Sequence, residues 1–415
     1  MFELCLFDLD ETLIKTEDLK EVREACKRNQ NPAHLQKVVD GLKSKKDRCI
    51  YSLEILNLIR STYPKLKIGV FTRSPNSYAK TVLDWAYPGF NWDILVAYED
   101  VRHTKPYGEG IKKAMTAFNI EYLDRVMLVG DNDADVRAAY NCGCLVTLDK
   151  GAWPYKWGQE HWRALDYIPD AVISAPEQII EVLANPVAFL PALERAFAGD
   201  ESKENTTRFD KVNYFVAKTA GGDNTAYPIF VCGRSFANYD SISERKKWHE
   251  LTESIEKNKD SDEFPVEWVE TVRVFIRKNY MAFFRPINIV ISVVPHRPGR
   301  KPRLENFLTQ LKKSFEEVPM LNYNVSIAPK LLEYKVGVKS QHNDHLGRDD
   351  RFINVRDHLV VKMPELIVAG TYFLVIDDVT TTGASLIYAS KYLKAAGAID
   401  VKCLSMAKNI GNLYT

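Results

Sequence analysis

Twice along this chain, short β-rich runs alternate with segments of helical period, and that alternation limits the folds open to it. In the first half, residues 4–8, 68–71, 94–97, 126–129 and 145–146 are candidate strands. Between two of them Ile111, Ala114, Met115 and Phe118 recur at i, i+3, i+4 and i+7, one face of a helix. Strands separated by helices run parallel, so a doubly wound α/β sheet is expected. The run at 170–174 and an apolar helix to Leu183 close this unit. Pro186, Pro191 and the polar stretch 199–207 then mark a linker.

The second half repeats the alternation with a different pattern. Residues 212–217 and 227–232 flank Gly-Gly-Asp-Asn (221–224) as a hairpin, and the charge-dense run 240–263 is expected to be solvated. Residues 287–294 are continuously apolar, as in a buried parallel strand. Leu304, Phe307, Leu308, Leu311 and Phe315 mark an amphipathic helix. A strand at 372–376 precedes a last helix ending at Gly397. At 415 residues and roughly 150 per domain the chain holds two or three domains. The expected boundaries are 1–185, with an insert at about 16–50, a linker at 186–207, and 208–415 with its core at about 286–408. Both domains are expected to be Rossmann-like and doubly wound.

Composition removes some function classes. With 56 Lys and Arg against 55 Asp and Glu the net charge is +1, which disfavours a general nucleic-acid binder. No apolar run approaches the roughly 18 residues of a membrane span, so no membrane partner is expected. Seven cysteines without a CxxC pair, behind an amino terminus unlike a signal peptide, suit free thiols and a cytoplasmic location.

Phe7-Asp8-Leu9-Asp10-Glu11-Thr12 puts two carboxylates at the end of the first strand, where open α/β sheets hold their sites. Two close carboxylates repel each other and any phosphate, so they need a cation. Thr72 ends the second strand in a hydroxyl, and Lys105, before Pro106, offers a positive charge. Gly130-Asp131-Asn132-Asp133-Ala134-Asp135 ends another strand in an acidic cluster fit for a hard, oxygen-lined Mg²⁺ site.

These four features in this order resemble the haloacid dehalogenase (HAD) superfamily of phosphohydrolases over about residues 1–185. The resemblance implies Asp8 as the nucleophile of an aspartyl-phosphate and Asp10 as its acid and base. Thr72 and Lys105 would hold the phosphoryl group. Mg²⁺ would sit on Asp8, the Asp10 carbonyl and Asp131, with Asp135 as outer partner. The small insert implies an open cleft and a bulky substrate, a phosphorylated small molecule or nucleotide.

A second constellation lies at 373–385. A buried strand delivers Asp377 and Asp378, and Thr380, Thr381, Thr382, Gly383, Ala384 and Ser385 open a helix, whose amino-terminal N–H groups and hydroxyls suit a phosphate. This resembles the phosphoribosyl-pyrophosphate loop of type I phosphoribosyltransferases. Gln341, Leu346, Arg348, Arg351 and Asn354 are similar to the pattern of ComF-type members. The likeness implies that Asp377 and Asp378 contact a ribose and that Arg297 and Arg300 meet pyrophosphate. The expected function is a bifunctional enzyme, a Mg²⁺-dependent phosphatase fused to a phosphoribosyltransferase of nucleotide metabolism. One rival is a phosphatase regulated by a non-catalytic nucleotide-sensing module. The other is a nucleic-acid end-processing phosphatase.

Overall fold

The computed structural model describes residues 1–200, 206–215, 222, 225–259, 261–282, 285–339 and 346–414. Contacts divide the chain into two units. One is Met1–Leu190 with Phe236–His249 and Gly411–Thr415; the other is Pro191–Ser235 with Glu250–Ile410.

Among the described residues, the first unit's sheet has six strands: β1 (Leu4–Phe7), β2 (Lys67–Phe71), β3 (Ile94–Val96), β4 (Val126–Gly130), β5 (Leu145–Asp149) and β6 (Ala171–Ile173). Their order is β3-β2-β1-β4-β5-β6, and every neighbouring pair is parallel. All residues of β1 and β4 are buried, which is why these strands read as unbroken apolar runs. The chain turns from one side of β1 to the other after β3. That reversal opens a crevice at the carboxyl edges of β1 and β4.

Helices α1 (Lys20–Ala25) and α2 (Pro32–Lys43) occupy the insert after β1, followed by α3 (Leu53–Thr62), α4 (Asn76–Ala86), α5 (Glu109–Ala117) and α6 (Asp133–Cys142). Asn31 caps α2 through the His34 N–H, and Pro32 takes the first-turn position that needs no N–H. Asn132 and Asp135 form a reciprocal capping box on α6, which stops at Gly143 with φ of 98°. The insert is clasped at its base. Arg48, with its side chain almost fully buried, donates to the carbonyls of Lys15, Gly41 and Leu42 and to both carboxylate oxygens of Asp18.

The second unit contains β7 (Asp210–Phe215), β8 (Ala226–Val231), β9 (Arg234–Phe236), β10 (Ile287–Val293), β11 (Tyr323–Ile327), β12 (Leu332–Tyr334), β13 (Leu359–Val361), β14 (Thr371–Thr380) and β15 (Asp400–Ile410). The main sheet runs β11-β10-β14-β15-β8-β7, with β9 also on β15, while β12 and β13 pair apart from it. It is a mixed sheet, so the doubly wound domain expected for this half is not confirmed, whereas the hairpin expected of 212–217 and 227–232 is present over its described residues as β7 and β8. β7 pairs antiparallel with β8, because the connection 216–225 is too short for a parallel crossover of about a dozen residues. The hairpin's loop and Gln341 lie outside the described residues. Val269, Val272 and Ile276 on the helix Val266–Asn279 join Phe307, Leu308 and Leu311 in this unit's core.

One expectation fails in the charge-dense run. Arg245 is buried, not solvated, and belongs to the first unit. Its guanidinium pairs with the buried carboxylate of Asp170 and lies 3.9 Å from the Trp248 ring. A charge count does not reveal this, because Asp170 lies 75 residues away in sequence.

Candidate active site

The carboxyl ends of β1, β2 and β4 bring Asp8, Thr72 and Asp131 to the crevice. Lys105, before α5, lies fully inside the unit between two carboxylates: its Nζ is 2.7 Å from Asp8 Oδ1 and 2.6 Å from Asp135 Oδ1. Burial alone favours the neutral amine, but the two carboxylates reverse that effect and raise its pKa, so the ammonium persists. The same burial raises the carboxyls of Asp8 and Asp131, with Asp135 adding like-charge repulsion to each. One oxygen from each of Asp8, Asp131 and Asp135 lies within 4.8 Å of the others. Three carboxylates against one ammonium leave an uncompensated negative charge. An all-oxygen donor set of this kind fits a hard divalent cation.

Thr12, two residues beyond Asp10, donates to Asp131 Oδ1 at 3.2 Å, and Trp153 Nε1 donates to the Asp131 carbonyl at 2.7 Å. Gly130 is required beside them: a Cβ there would lie 2.2 Å from the Asp135 carboxyl carbon.

Asp10 stands apart from that triad. Its Oδ1 accepts from Thr16 Oγ1 (2.6 Å) and Tyr78 Oη (3.1 Å), Ser74 donates to Oδ2, and Arg23 of α1 reaches Oδ1 at 3.1 Å. Glu11 turns the chain here with φ of 60°, a left-handed conformation held by the Thr16 and Glu17 N–H groups on its carboxylate. Thr72 is buried, and its hydroxyl accepts the Ser74 N–H. A cavity of about 430 Å³ opens over this floor, walled by Arg73 and Asn132 and by Lys20, Arg23 and Lys27 of the insert.

Within the second unit, the structure brings part of the other constellation together. β14 extends to Thr380, past the expected Ile376, because β15 keeps pairing with it to Lys408. Asp377, Asp378 and Arg300 line a cavity of about 510 Å³. Burial first, then the Asp378 carboxylate, raises the Asp377 carboxyl. Asp378 pairs with Arg303 at 3.1 Å. Thr381 and Thr382 lead to Gly383, which opens the helix Ala384–Ala395 at φ of 75°. Ser385 instead faces Tyr334, 2.9 Å between hydroxyls, and Arg297 lies 6.0 Å from the Tyr334 ring. Neither Ser385 nor Arg297 lines that cavity.

Residues 22–148 match the family model described as haloacid dehalogenase-like hydrolase. A HAD-superfamily hydrolase domain is thus supported near the amino terminus, over residues 22–148. Among curated proteins, the pyrophosphatase PpaX of Bacillus cereus (strain G9842) is 25% identical over 119 residues, 29% of this chain and 52% of that protein. PpaX of Bacillus mycoides is 26% identical over 118 residues, 28% and 52% of the two chains. The chain thus spans about half the length of these relatives. Similar solved structures include a subfamily IA HAD hydrolase from Geobacter sulfurreducens, with 16% identity, TM-score 0.29, and 44% of this chain against 100% of that one. A hydrolase from Pseudomonas syringae gives 17%, 0.33, 44% and 98%. Neither the family match nor these relatives supports the phosphoribosyltransferase domain expected for 208–415.

Of the expected site residues in the first unit, Asp8, Asp10, Thr72 and Asp131 line one cavity, and Lys105 and Asp135 lie buried behind Asp8 without lining it. Missed were Thr12, Thr16, Arg23, Ser74, Tyr78 and Trp153. Thr12 and Ser74 sit within two residues of the motifs, a usable signal. The others come from the insert, α4 and a distant loop, and nothing in the local sequence marks them.

Proposed function

We propose that the HAD domain is a Mg²⁺-dependent hydrolase of phosphoric monoesters or anhydrides working through an aspartyl-phosphate on Asp8. The observation that carries this reading is Lys105 clamped between Asp8 and Asp135 inside a triad of carboxylates. Mg²⁺, held by Asp8 and Asp131, would supply charge compensation for the phosphoryl oxygens.

Lys105 and the Leu9 N–H fix Asp8 Oδ1, and among the described residues nothing donates to Oδ2, which is left for attack on phosphorus. As the Asp8–phosphorus bond forms, the bond to the leaving oxygen breaks and Asp10 gives that oxygen its proton. Water then attacks phosphorus, Asp10 takes up the water's proton, and the Asp8–phosphorus bond breaks to release phosphate. Ser74, Thr16 and Tyr78 orient Asp10 for both steps. The test is phosphate release from a panel of phosphorylated metabolites. Asp8→Asn should lower it at least a thousandfold, and release that survives in this variant would overturn the assignment.

A second reading concerns the second unit, Pro191–Ser235 with Glu250–Ile410, which holds most of 208–415. The convergence of Asp377, Asp378 and Arg300 on one cavity favours a phosphoribosyl ligand there, phosphoribosyl pyrophosphate or a nucleotide. Calorimetry with phosphoribosyl pyrophosphate tests it. Binding should weaken at least tenfold in Asp377→Asn, and the absence of binding to the wild type would end this reading.

A further inference from the structure

The insert brings three basic side chains, Lys20, Arg23 and Lys27, and one acidic one, Glu24, to the wall of the crevice. Lys20 and Arg23 lie one turn apart on α1, Lys27 follows just beyond its end, and all three wall the cavity above Asp8 and Asp10. Arg73 joins them from the loop after β2. The floor already has Lys105 and a cation site for the phosphoryl group in transfer.

Arg23 is the informative residue. Its Nη1 lies 3.1 Å from Asp10 Oδ1, and Asp10 already accepts hydroxyls from Thr16, Ser74 and Tyr78. Asp10 therefore does not need the guanidinium for hydrogen-bond satisfaction. A guanidinium carries five N–H donors in a fork suited to phosphate oxygens. Among the described residues its one ion pair is with Asp10, and the neighbouring Glu24 carboxylate adds to its negative surroundings. Burial of Arg23 is incomplete, with the side chain 20% exposed. Lys27 pairs with Glu24 and lies 5.0 Å from the Tyr98 ring, which fixes its ammonium at the rim. Lys20 forms no ion pair among the described residues.

We infer that Arg23, flanked by Lys20 and Lys27, is a subsite for a second phosphate of the substrate, next to the one that Asp8 attacks. The substrate class is then a diphosphate, either an anhydride or a bisphosphorylated small molecule. This deepens the phosphohydrolase reading and rests on its assignment of Asp8 and Asp10.

Binding tests it without turnover. Asp8→Asn protein with Mg²⁺ is titrated by calorimetry with inorganic pyrophosphate and with orthophosphate. Pyrophosphate is expected to bind at least tenfold tighter, and adding Arg23→Gln should reduce that preference to less than threefold. Lys27→Gln in the same background should reduce it partly, as a folding-neutral check at an exposed position. Equal affinity for the two anions in Asp8→Asn protein, or a preference untouched by Arg23→Gln, would overturn the subsite. Asp8-independent phosphate release would instead overturn the phosphohydrolase reading, so the two failures are distinct.

Discussion

Lys105 is the residue on which the charge balance of the HAD site turns. Among the described residues its ammonium is the one cation in direct contact with Asp8 and Asp135, and both it and Asp135 are almost wholly buried. Removing one partner of a buried ion pair strands the other and typically costs about 3–5 kcal/mol. Lys105→Met is therefore expected to destabilise the metal-free protein by about 3 kcal/mol, since three carboxylates then face one another. Part of that loss should return when Mg²⁺ is added. Urea unfolding with and without Mg²⁺ checks this, and a variant as stable as the wild type without metal would contradict the proposed balance. Lys105 was legible in the sequence because it precedes a helix at the right place between two strand-end motifs. Arg23 was not. Its role depends on how the insert folds back over β1, and spacing alone does not encode that return.

At the scale of elements, the two ends of the insert are clasped together by Arg48. Hydrogen bonds from Arg48, above all, hold the Asp18 carboxyl down to about 2, against roughly 3.9 in an unfolded chain. A depressed carboxyl contributes stability above its unfolded pKa and loses it as pH falls towards the folded one. Asp18→Asn should thus lower the thermal midpoint at pH 6, by the equivalent of about 1 kcal/mol for a partly solvated pair. The difference from the wild type should shrink between about pH 4 and pH 2. A deficit that is constant across that window would show that the pair does not titrate with folding. The elements themselves were largely readable: β1, β2 and β4 carry unbroken apolar runs because both their faces are covered. The antiparallel sense of β7 was readable too, as the hairpin with β8. Its pairing with β8 is decided by a short connection, not by the composition of either strand.

For the whole molecule, the decisive feature is that the first unit is not one continuous stretch. Residues 236–249 and 411–414 pack onto α6, the helix that follows the acidic loop. Trp248 donates to the Gly143 carbonyl, Asn141 donates to Ser241, and Arg137 donates to the Leu413 carbonyl. Tyr414 stacks on Tyr107, two residues beyond Lys105, with ring centroids 4.7 Å apart. The Arg245–Asp170 pair anchors this arrangement with both side chains 2% exposed. Arg245→Met leaves Asp170 buried without its cation and should cost about 3–5 kcal/mol of full-chain stability. Scanning calorimetry of the full chain should show the loss in a transition that Mg²⁺ shifts, since the proposed metal site belongs to the same unit. A loss confined to a Mg²⁺-insensitive transition would count against it. No sequence signal announces the return of these segments, because hydrophobic periodicity reports that a face is buried and not what buries it.

The returning segments also impose an order on synthesis. Residues 411–414 leave the ribosome after every strand of both sheets. Until they arrive, the face of α6 that they cover has no native partner. The nascent first unit must therefore wait, incompletely covered, while the second is translated, and a chaperone that shields that face would be most useful during this interval.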